Sequence, residues 1–380
     1  MSPHPKTWVE ISGAAVSANI SALKNLLSPE TAICAVVKAN AYGHDLETMV
    51  RLASTSGIRF FAVDNLEEAL HVRSRFADAE VIILGYAPLE WAETIVANHF
   101  IQTVYNQPLL DALSDAALKL RDRARINLKI ETGTHRQGIE VKKLWGFLRG
   151  IRQLERTVEF SAISSHFADA ETPGSSYSAY QMGQYQEALL LIKEAGLPMP
   201  LRHFACSAAV ILDPTTHFDL VRLGIALYGI WPSEETRRAN RVRQNAIDLH
   251  PVLTWKTCIA QIKDLQPGDL VSYGMRYRAD RPMRMAVLPV GYADGYRRSN
   301  TGKAEVLVHG HLCPVIGTIC MNMMMIDVSQ LPTVKEGDTV TLLGRDGMHQ
   351  ISAEDIAAWT GTIPYEVVTQ INPLLQRLVV

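Results

Sequence analysis

The sequence predicts an α/β protein in which a (β/α)8 barrel, residues 1–240, is followed by a mostly antiparallel β domain, residues 241–380. Three observations predict this. Short apolar runs alternate with longer amphipathic segments up to about residue 230. Each connection is long enough for a crossover helix, which parallel pairing requires. Beyond about residue 240, β-rich runs punctuated by glycine and proline replace the alternation. Residues 1–11 are assigned to the barrel, with the β domain as the alternative.

Eight apolar runs account for the strands of the predicted barrel. They lie at residues 33–37, 60–63, 81–84, 102–105, 126–130, 160–164, 201–205 and 220–225. This count is that of a (β/α)8 barrel, and the chain is close to the typical size of one. An open doubly wound sheet is the alternative. Its nucleotide-binding forms are disfavoured because no GxGxxG follows any run and no GxxxxGK[ST] occurs.

Helical spacing is clear in three segments. "NLEEALHVRSRF" (65–76) and "SAYQMGQYQEALLLIKEAG" (178–196) lie between the apolar runs, and the second ends in a lysine and a glycine. In the β domain, "SAEDIAAWTG" (352–361) opens with a capping-box pattern and stops at a glycine. These signals predict two barrel helices and one late helix.

Composition and charge exclude several classes of function. The 380 residues are 47% hydrophobic and 20% charged, which argues against disorder. A formal net charge of -2 gives no basic surface for nucleic acid or for a membrane. No apolar stretch reaches the ~18 residues of a membrane-spanning helix, and the N-terminus lacks the apolar region of a signal peptide. The five scattered cysteines have no CxxC spacing, so we expect a reducing compartment, by default the cytoplasm.

A lysine ends the first apolar run, in "AICAVVKANAYGHD" (32–45). Lys38 is therefore expected at the C-terminal end of a barrel strand, where active sites of this fold lie. A desolvated amine loses its proton more easily and becomes a nucleophile. The small residues after it leave room for a bulky group, and Tyr42 adds a hydroxyl. The alternative is a solvated lysine without a chemical role.

The last two runs add an arginine and an anion site. Arg222 interrupts the apolar run "LVRLGI", and Gly224 lets the backbone N–H groups near Ile225 approach an anion closely. Ser207, after the seventh run, adds a hydroxyl, and loops at this end of such barrels often bind phosphate. The alternative pairs Arg222 with a structural carboxylate. Together with Lys38, the set suggests pyridoxal 5'-phosphate.

Over essentially its whole length the chain resembles the alanine racemases, the barrel-type family of pyridoxal-phosphate enzymes. The cofactor-lysine signature is "AVVKANAYGHD" (35–45). The other matching stretches are "LKIETGTHRQG" (128–138), "SSHFA" (164–168), "VRLGIALYG" (221–229), "VSYG" (271–274), "VGYADGYRR" (290–298), "ICMNM" (319–323) and "TIPYE" (362–366).

The resemblance implies roles for the cofactor-binding residues. Lys38 holds the cofactor covalently, and Arg222 faces the pyridine nitrogen with His166 nearby. A guanidinium has no acceptor for a proton on that nitrogen, so the ring should stay unprotonated, which disfavours side reactions such as transamination. The phosphate is implied to bind Tyr42, Ser207, Tyr365 and the backbone at Gly224 and Ile225.

Racemisation removes a proton from one face of Cα and delivers one to the other, so two bases are needed. The resemblance implies that they are Lys38 and Tyr273, the tyrosine coming from the partner chain of a head-to-tail homodimer with shared active sites. A phenol, with an ordinary pKa near ~10, needs help to act as a base, and His166 and Arg222 are the implied helpers. A core aromatic is the alternative for Tyr273. Met321 is implied to approach the substrate carboxylate from the same partner chain.

Further residues follow from the resemblance. Arg136 binds the substrate carboxylate and the cofactor's phenolic oxygen, and Lys129 matches a lysine often carbamylated in the family, with a simple ion pair as the alternative. Tyr292 and Arg298 line the substrate entrance. The chain departs from the pattern we associate with the family at Glu131, His135, Gln137, Cys206, Thr318, Asn322 and Pro364. Thr318 replaces an arginine and Asn322 an aspartate, which opens serine or a broader substrate range beside alanine.

Two other functions use the same fold. A non-catalytic pyridoxal-phosphate carrier would resemble only the barrel, so the second domain counts against it. A D-amino-acid lyase would carry a metal in the β domain. In "HGHLC" (309–313), His309, His311 and Cys313 would share one face of an extended strand, but no fourth ligand is evident, and no metal site is assigned. If alanine is the substrate, its D-enantiomer would supply bacterial cell-wall synthesis.

Overall fold

The computed structural model describes residues 5–380, which divide into two compact units. The barrel unit comprises Val16–Ala41 and Leu46–His250. The C-terminal unit comprises the described residues up to Ala15 together with Tyr42–Asp45 and Pro251–Val380. Residues 1–4 of the predicted barrel assignment lie outside the described residues.

The barrel unit contains the eight predicted parallel strands, which confirms the fold class. In chain order they are Ala32–Val36, Phe60–Val63, Glu80–Ile83, Ile101–Val104, Ala124–Glu131, Val158–Ser164, Leu201–His203 and Leu220–Leu223. The first seven strands each pair in parallel with the next one along the chain as far as the seventh, and the eighth pairs in parallel with the first. Two backbone hydrogen bonds, Asp219 N to Arg202 O and Arg222 N to Ala205 O, join the seventh and eighth strand regions.

One helix precedes the first barrel strand, and helices follow each barrel strand along the chain. They are Gly13–Lys24, Leu46–Thr55, Leu66–Arg75, Ala92–Ala97, Gln107–Leu120, Val141–Gln153, Ser176–Glu194, Ser207–Leu212 and Glu234–Arg241. Both barrel helices predicted from spacing are present. Asn65 caps the third of these helices by accepting from the N–H of Glu68, as Asn side chains commonly do. Most residues of the strands are buried, as expected where helices cover a parallel sheet.

The C-terminal unit is built on a mainly antiparallel sheet. Its path runs Gln261–Leu265, Met283–Leu288, Met324–Asp327, His311–Ile316, Glu305–Val308, Thr339–Asp346, Leu253–Cys258, Thr7–Ile11 and Gln376–Val379. His349–Ile351 pairs with Thr339–Asp346, and Leu270–Val271 forms a separate pair with Tyr277–Arg278. The N-terminal strand Thr7–Ile11 lies inside this sheet, between an antiparallel and a parallel neighbour.

Two helices, Ala353–Thr360 and Pro364–Thr369, complete the C-terminal unit. The first is the predicted late helix. Ser352 and Asp355 form the capping box, and Gly361 ends the helix in the left-handed conformation, φ 71°. Among all helices within residues 5–380, none combines the length and the apolar character needed to cross a bilayer.

Candidate functional site

Lys38 begins a rare left-handed turn. The next four residues, Ala39, Asn40, Ala41 and Tyr42, have φ between 52° and 54°. Such a conformation costs roughly 1–2 kcal/mol for each non-glycine residue, so the surrounding contacts must hold it. Within the barrel unit, the N–H of Asn40 donates to Glu68 Oε1 at 3.2 Å, and its side-chain oxygen accepts from Leu46 N at 2.8 Å. Strain of this kind is concentrated at functional sites.

The Lys38 amine is not desolvated within its own chain, in contrast to the sequence-based expectation. Its side chain is 41% exposed, and Nζ lies 3.8 Å from Oδ1 of the half-exposed Asp64. Ion pairs of this kind contribute little energy because water screens them. The amine is therefore accessible to a molecule that enters this rim.

Arg222 lies on the same rim, at the end of the eighth strand, and is 6% exposed. Its Nη1 donates to the carbonyl of His203 at 2.8 Å and to that imidazole's Nδ1 at 2.9 Å. Its Nη2 donates to Ser165 O at 2.7 Å, to Phe204 O at 3.0 Å and to His166 Nδ1 at 3.3 Å. None of these partners of Arg222 is a carboxylate, so the alternative of a structural ion pair is not supported. None of these bonds uses Nε.

His203 links Arg222 to the barrel core through a chain of hydrogen bonds. Because arginine only donates, His203 Nδ1 accepts, and its Nε2–H donates to Asn127 Oδ1 at 3.0 Å. Asn127 in turn donates to Thr103 Oγ1 at 3.0 Å. Burial and the Arg222 charge hold the pKa of His203 well below its ordinary value, so the ring stays neutral.

Two further titratable groups face this cationic cluster. Burial lowers the pKa of His166 well below its ordinary value, and the charges of Arg222, Lys129 and Arg136 lower it further. Burial, then Arg222 and Arg136, likewise lower the pKa of Lys129, against the opposing effect of Glu131. The site therefore favours a neutral imidazole and a neutral amine beside the permanent cations of Arg222 and Arg136.

The predicted phosphate cradle forms a connected group. The hydroxyl of Ser207 accepts from the backbone N–H of Gly224 at 3.1 Å and of Ala226 at 3.3 Å. Gly224 has φ −102° and ψ −105° and precedes the short helix Ile225–Tyr228. All of these groups are buried. A hydroxyl beside convergent backbone N–H groups is chemistry that suits a phosphate.

Glu131 organises the loop that carries Arg136. Its carboxylate accepts from the backbone N–H of Gly133 and, at 3.2 Å, of Arg136. Partial burial raises the pKa of this carboxyl, but the loop's backbone N–H groups outweigh that effect and leave the pKa lowered. Arg136 is exposed, beside an open cavity of about 880 Å³ that Tyr177 also lines.

In the C-terminal unit, Tyr42 and Tyr365 are neighbours. Their ring centroids lie 6.1 Å apart, with the rings tilted by 46°. Gly43 passes so close to the backbone that a Cβ would lie 2.1 Å from the carbonyl oxygen of Val368, so glycine is required there. The Arg377 guanidinium donates to Gly43 O at 2.9 Å and fixes this segment. The two predicted phosphate-binding phenols thus share one place.

The fold also brings together the C-terminal unit's other predicted residues. The backbone N–H of Tyr292 donates to Cys320 O at 3.1 Å, and that of Ala293 donates to Met321 O at 2.9 Å. Tyr273, Met321 and Tyr292 are all exposed, by 72%, 56% and 43%.

Thr318 and Arg298 have different surroundings. Thr318 is only 1% exposed, and its hydroxyl donates to Tyr273 O at 2.7 Å. Arg298 is linked to the Thr318 segment indirectly, through Thr301. The carbonyl of Arg298 accepts from Thr301 N, and the Thr301 hydroxyl accepts from Ile319 N at 3.2 Å.

The shared strand face expected for "HGHLC" does not form. His309 and Gly310 make the two-residue turn of the hairpin that joins Glu305–Val308 to His311–Ile316, with φ 49° and 77°. His309 Nε2 lies 3.1 Å from Oδ2 of Asp338. Across residues 5–380, no group of three or more His, Cys, Asp or Glu side chains is arranged to hold a metal.

Three contributors were not identified from the sequence. His203 and Asn127 lie at strand positions that periodicity assigns to the core, and their roles depend on partners far along the chain. Ser272 precedes Tyr273 in "VSYG" and bonds to residue 318, 46 positions away. The sequence signal that could have identified Asn127 and His203 is that each is a polar residue inside an apolar run, "INLKI" and "LRHFA".

Comparisons with known proteins agree in both units. The family model described as alanine racemase, N-terminal domain, matches residues 11–232, and that described as alanine racemase, C-terminal domain, matches residues 252–379. The chain is 36% identical to the alanine racemase of Desulfovibrio desulfuricans over 98% of both chains. It is 35% identical to that of Methanococcus maripaludis over 100% of this chain and 99% of the relative.

Solved structures show the same similarity. The alanine racemase of Bacillus anthracis with bound L-Ala-P superposes with a TM-score of 0.92 at 33% identity, covering 100% of this chain and 96% of that one. The alanine racemase of a D-cycloserine-producing Streptomyces lavendulae superposes with a TM-score of 0.92 at 31% identity, covering 100% and 98%. The chain belongs to the alanine racemase family.

Proposed function

We propose that the protein is a pyridoxal 5'-phosphate-dependent racemase that interconverts L- and D-alanine. One observation carries this proposal. A buried arginine, bonded only to neutral acceptors and with Nε unused by them, shares a barrel rim with an accessible lysine. A cation held without a counter-carboxylate suits a ring nitrogen that must remain unprotonated. The family membership supports the same reaction.

The barrel rim and the C-terminal unit each offer residues that suit groups of the cofactor. Lys38 would hold its aldehyde carbon, and Arg222, braced against His166, would donate to its ring nitrogen. Its phosphate would bind Tyr42, Tyr365, Ser207 and the backbone at Gly224 and Ile225. When bound, pyridoxal phosphate would supply the electron-withdrawing ring that acidifies the Cα hydrogen of an amino acid.

The chain's own residues would move the proton. The Lys38 amine would serve one face of Cα and the Tyr273 phenol the other. Tyr273 is 72% exposed, and within residues 5–380 its phenol makes no hydrogen bond, so its environment in this chain alone is water. A general base works best where burial and neighbouring donors bring its pKa toward the working pH. We therefore propose a homodimer with shared sites, in which Tyr273 of the partner subunit faces Lys38.

Substrate binding would use the remaining residues. Arg136, on the loop held by Glu131, would bind the substrate carboxylate, with the backbone N–H of Met321 from the partner chain as a second donor. Tyr292 and Arg298 would line the entrance. Lys129 is a candidate for carbamylation, because its lowered pKa favours the neutral amine that such a reaction needs.

The substrate range and the cellular role are part of the same proposal. Alanine is the proposed substrate, with serine or a broader range as the alternative that Thr318 and Asn322 leave open. The D-alanine formed would serve cell-wall synthesis, and the proposed location is the cytoplasm. No nucleic-acid or membrane partner is proposed, in keeping with the formal net charge of -2.

The test is a racemisation assay on the purified protein with a panel of L-amino acids, beside its visible absorption spectrum. We expect the absorption of lysine-bound pyridoxal phosphate and conversion of L-alanine to the racemate. Lys38→Ala should abolish both. Lys119→Ala, at an exposed lysine paired with Glu93, should change neither. Absence of this absorption would contradict the cofactor assignment. Absorption without racemisation would indicate a carrier, and metal-dependent cleavage or elimination of the substrate would indicate a lyase.

A further inference from the structure

Two side-chain hydrogen bonds running in opposite directions hold the turn that carries Tyr273. The hydroxyl of Ser272 donates to Thr318 O at 2.6 Å, and the hydroxyl of Thr318 donates to Tyr273 O at 2.7 Å. Each of the two segments therefore contributes one donor and one acceptor. A closed pair of this kind fixes the distance between the segments and their relative rotation, which a single bond would not do. We name Ser272 and Thr318, with these two bonds, the tyrosine clamp.

The clamp holds a strained backbone. Ser272 has φ 64° and ψ −175°, a region that essentially only glycine adopts. Holding a serine there costs on the order of 1–3 kcal/mol, so the surrounding structure must impose it. Gly317 lies against this residue. A Cβ on Gly317 would be 2.7 Å from Val271 Cγ1 and 3.1 Å from Ser272 Cβ. The strain and the close packing occur immediately before Tyr273.

The ring of Tyr273 has no comparable support of its own. The residue is 72% exposed, whereas Thr318 is 1% exposed. Packing cannot fix a side chain that is mostly surrounded by solvent, so the backbone must set where the phenol projects. Thr318 stands where the family resemblance suggested a residue of the substrate entrance. Its buried hydroxyl contacts the backbone of the proposed base instead.

We propose that Thr318 and Ser272 are positioning residues that aim the Tyr273 phenol. This inference rests on the proposed function, since it assigns the clamp to one of the two proton transfers. Misplacing a reacting group by about 1 Å can cost about 100-fold in rate. Loss of the clamp therefore impairs transfer by Tyr273 and leaves transfer by Lys38 intact.

The variants isolate the hydroxyl of Thr318. Thr318→Val removes the donor and keeps the branched shape, and Thr318→Ser restores the donor. Thr216→Val is the matched control, because Thr216 is also 1% exposed and also donates to a backbone carbonyl at 2.7 Å, that of Asp213. Each variant is prepared with pyridoxal phosphate and its thermal unfolding is measured. This separates a loss of folding stability from a misplaced Tyr273 phenol.

The kinetic readout is the primary isotope effect with Cα-deuterated L-alanine and Cα-deuterated D-alanine. The equilibrium constant of a racemisation is one, so kcat/KM falls equally in both directions and cannot identify the impaired base. For Thr318→Val we expect kcat/KM about 10- to 100-fold lower. The isotope effect should rise in one direction only, the direction that Tyr273→Phe also affects. Thr318→Ser should recover most of the rate, and Thr216→Val should leave both isotope effects unchanged.

A second readout does not use activity. In cofactor-free protein carrying ¹³C-labelled tyrosine, the Tyr273 ring signal, identified by its loss in Tyr273→Phe, should broaden or split in Thr318→Val and not in Thr216→Val. An unchanged signal, with unchanged isotope effects in both directions, overturns the clamp while the wild-type racemisation stands. A wild-type protein without racemisation overturns the proposed function, whatever the ring signal shows.

Discussion

Arg222 and Tyr273 differ in how the fold holds them. The guanidinium of Arg222 is 6% exposed and donates five hydrogen bonds, all within the barrel unit. Tyr273 is 72% exposed and is held through its backbone. For Arg222, groups of its own chain provide the whole of this hydrogen-bonding environment. Tyr273 has its position set by its own chain, while its environment depends on whatever covers it, which is why we propose a partner subunit there.

Mixing two inactive variants gives the largest effect and tests this difference directly. Lys38→Ala and Tyr273→Phe each remove one proposed base, so each homodimer should lose activity by at least about 100-fold. If sites are shared, a mixed dimer contains one intact site. Random exchange of subunits should then restore about a quarter of the wild-type rate, because half of the dimers are mixed and half of their sites are intact.

The readout is racemisation after the two variants are unfolded and refolded together, compared with variants refolded separately and then combined. Tyr277→Phe, at the half-buried tyrosine four residues along, is the matched control and should be active without mixing. Activity that stays at the level of the single variants after co-refolding would place both bases in one chain or exclude one of them.

Replacing Arg222 should affect both chemistry and stability. Arg222→Lys keeps the charge but supplies three donors from one atom, so several buried acceptors around it lose their partner. We expect the free energy of unfolding to fall by about 2–4 kcal/mol, and racemisation to fall by about 100-fold. Arg202→Lys, at a half-exposed ion pair with Asp219, should cost about 1 kcal/mol or less. Equal losses in these two variants would contradict a special role for the buried guanidinium.

Glu131→Gln should produce a smaller, pH-dependent effect. The folded-state pKa of Glu131 is lowered, so its carboxylate stabilises the fold above the ordinary carboxyl pKa near ~4.3, and this contribution is lost as the pH falls through the folded-state value. We expect the variant to be about 1 kcal/mol less stable at pH 7. Denaturant unfolding at pH 7 and below pH ~4 checks this, and a difference that grows on acidification would contradict it.

The smallest expected effect is that of a chelator. His309 lies in a hairpin turn, paired with Asp338, and the described residues contain no metal-holding cluster. Dialysis against a strong chelator should change racemisation by less than about twofold, since none of the proposed steps needs a metal ion. A large loss that added zinc reverses would show that the "HGHLC" segment or another site does bind a metal that activity requires.

The sequence was most informative where the signal is local. All eight barrel runs, the capping box at Ser352 and the stop at Gly361 follow from periodicity and from backbone preferences, and the fold contains each of them. The motif residues were found because their order along the chain resembles that of a family. The left-handed turn after Lys38 was not predicted, because Ala39 and Ala41 carry no local preference for φ above zero.

By itself, the sequence determined the strand order, the position of Lys38 at a strand end, and the residues that could carry the chemistry. Tertiary structure alone decided that Arg222 has neutral partners, that Asn127 orients His203, and that Thr318 holds Tyr273. The reason is physical. Periodicity and capping act over a few residues, whereas these hydrogen bonds join groups 19, 76 and 45 positions apart, and a donor's partner is fixed only once the chain has folded.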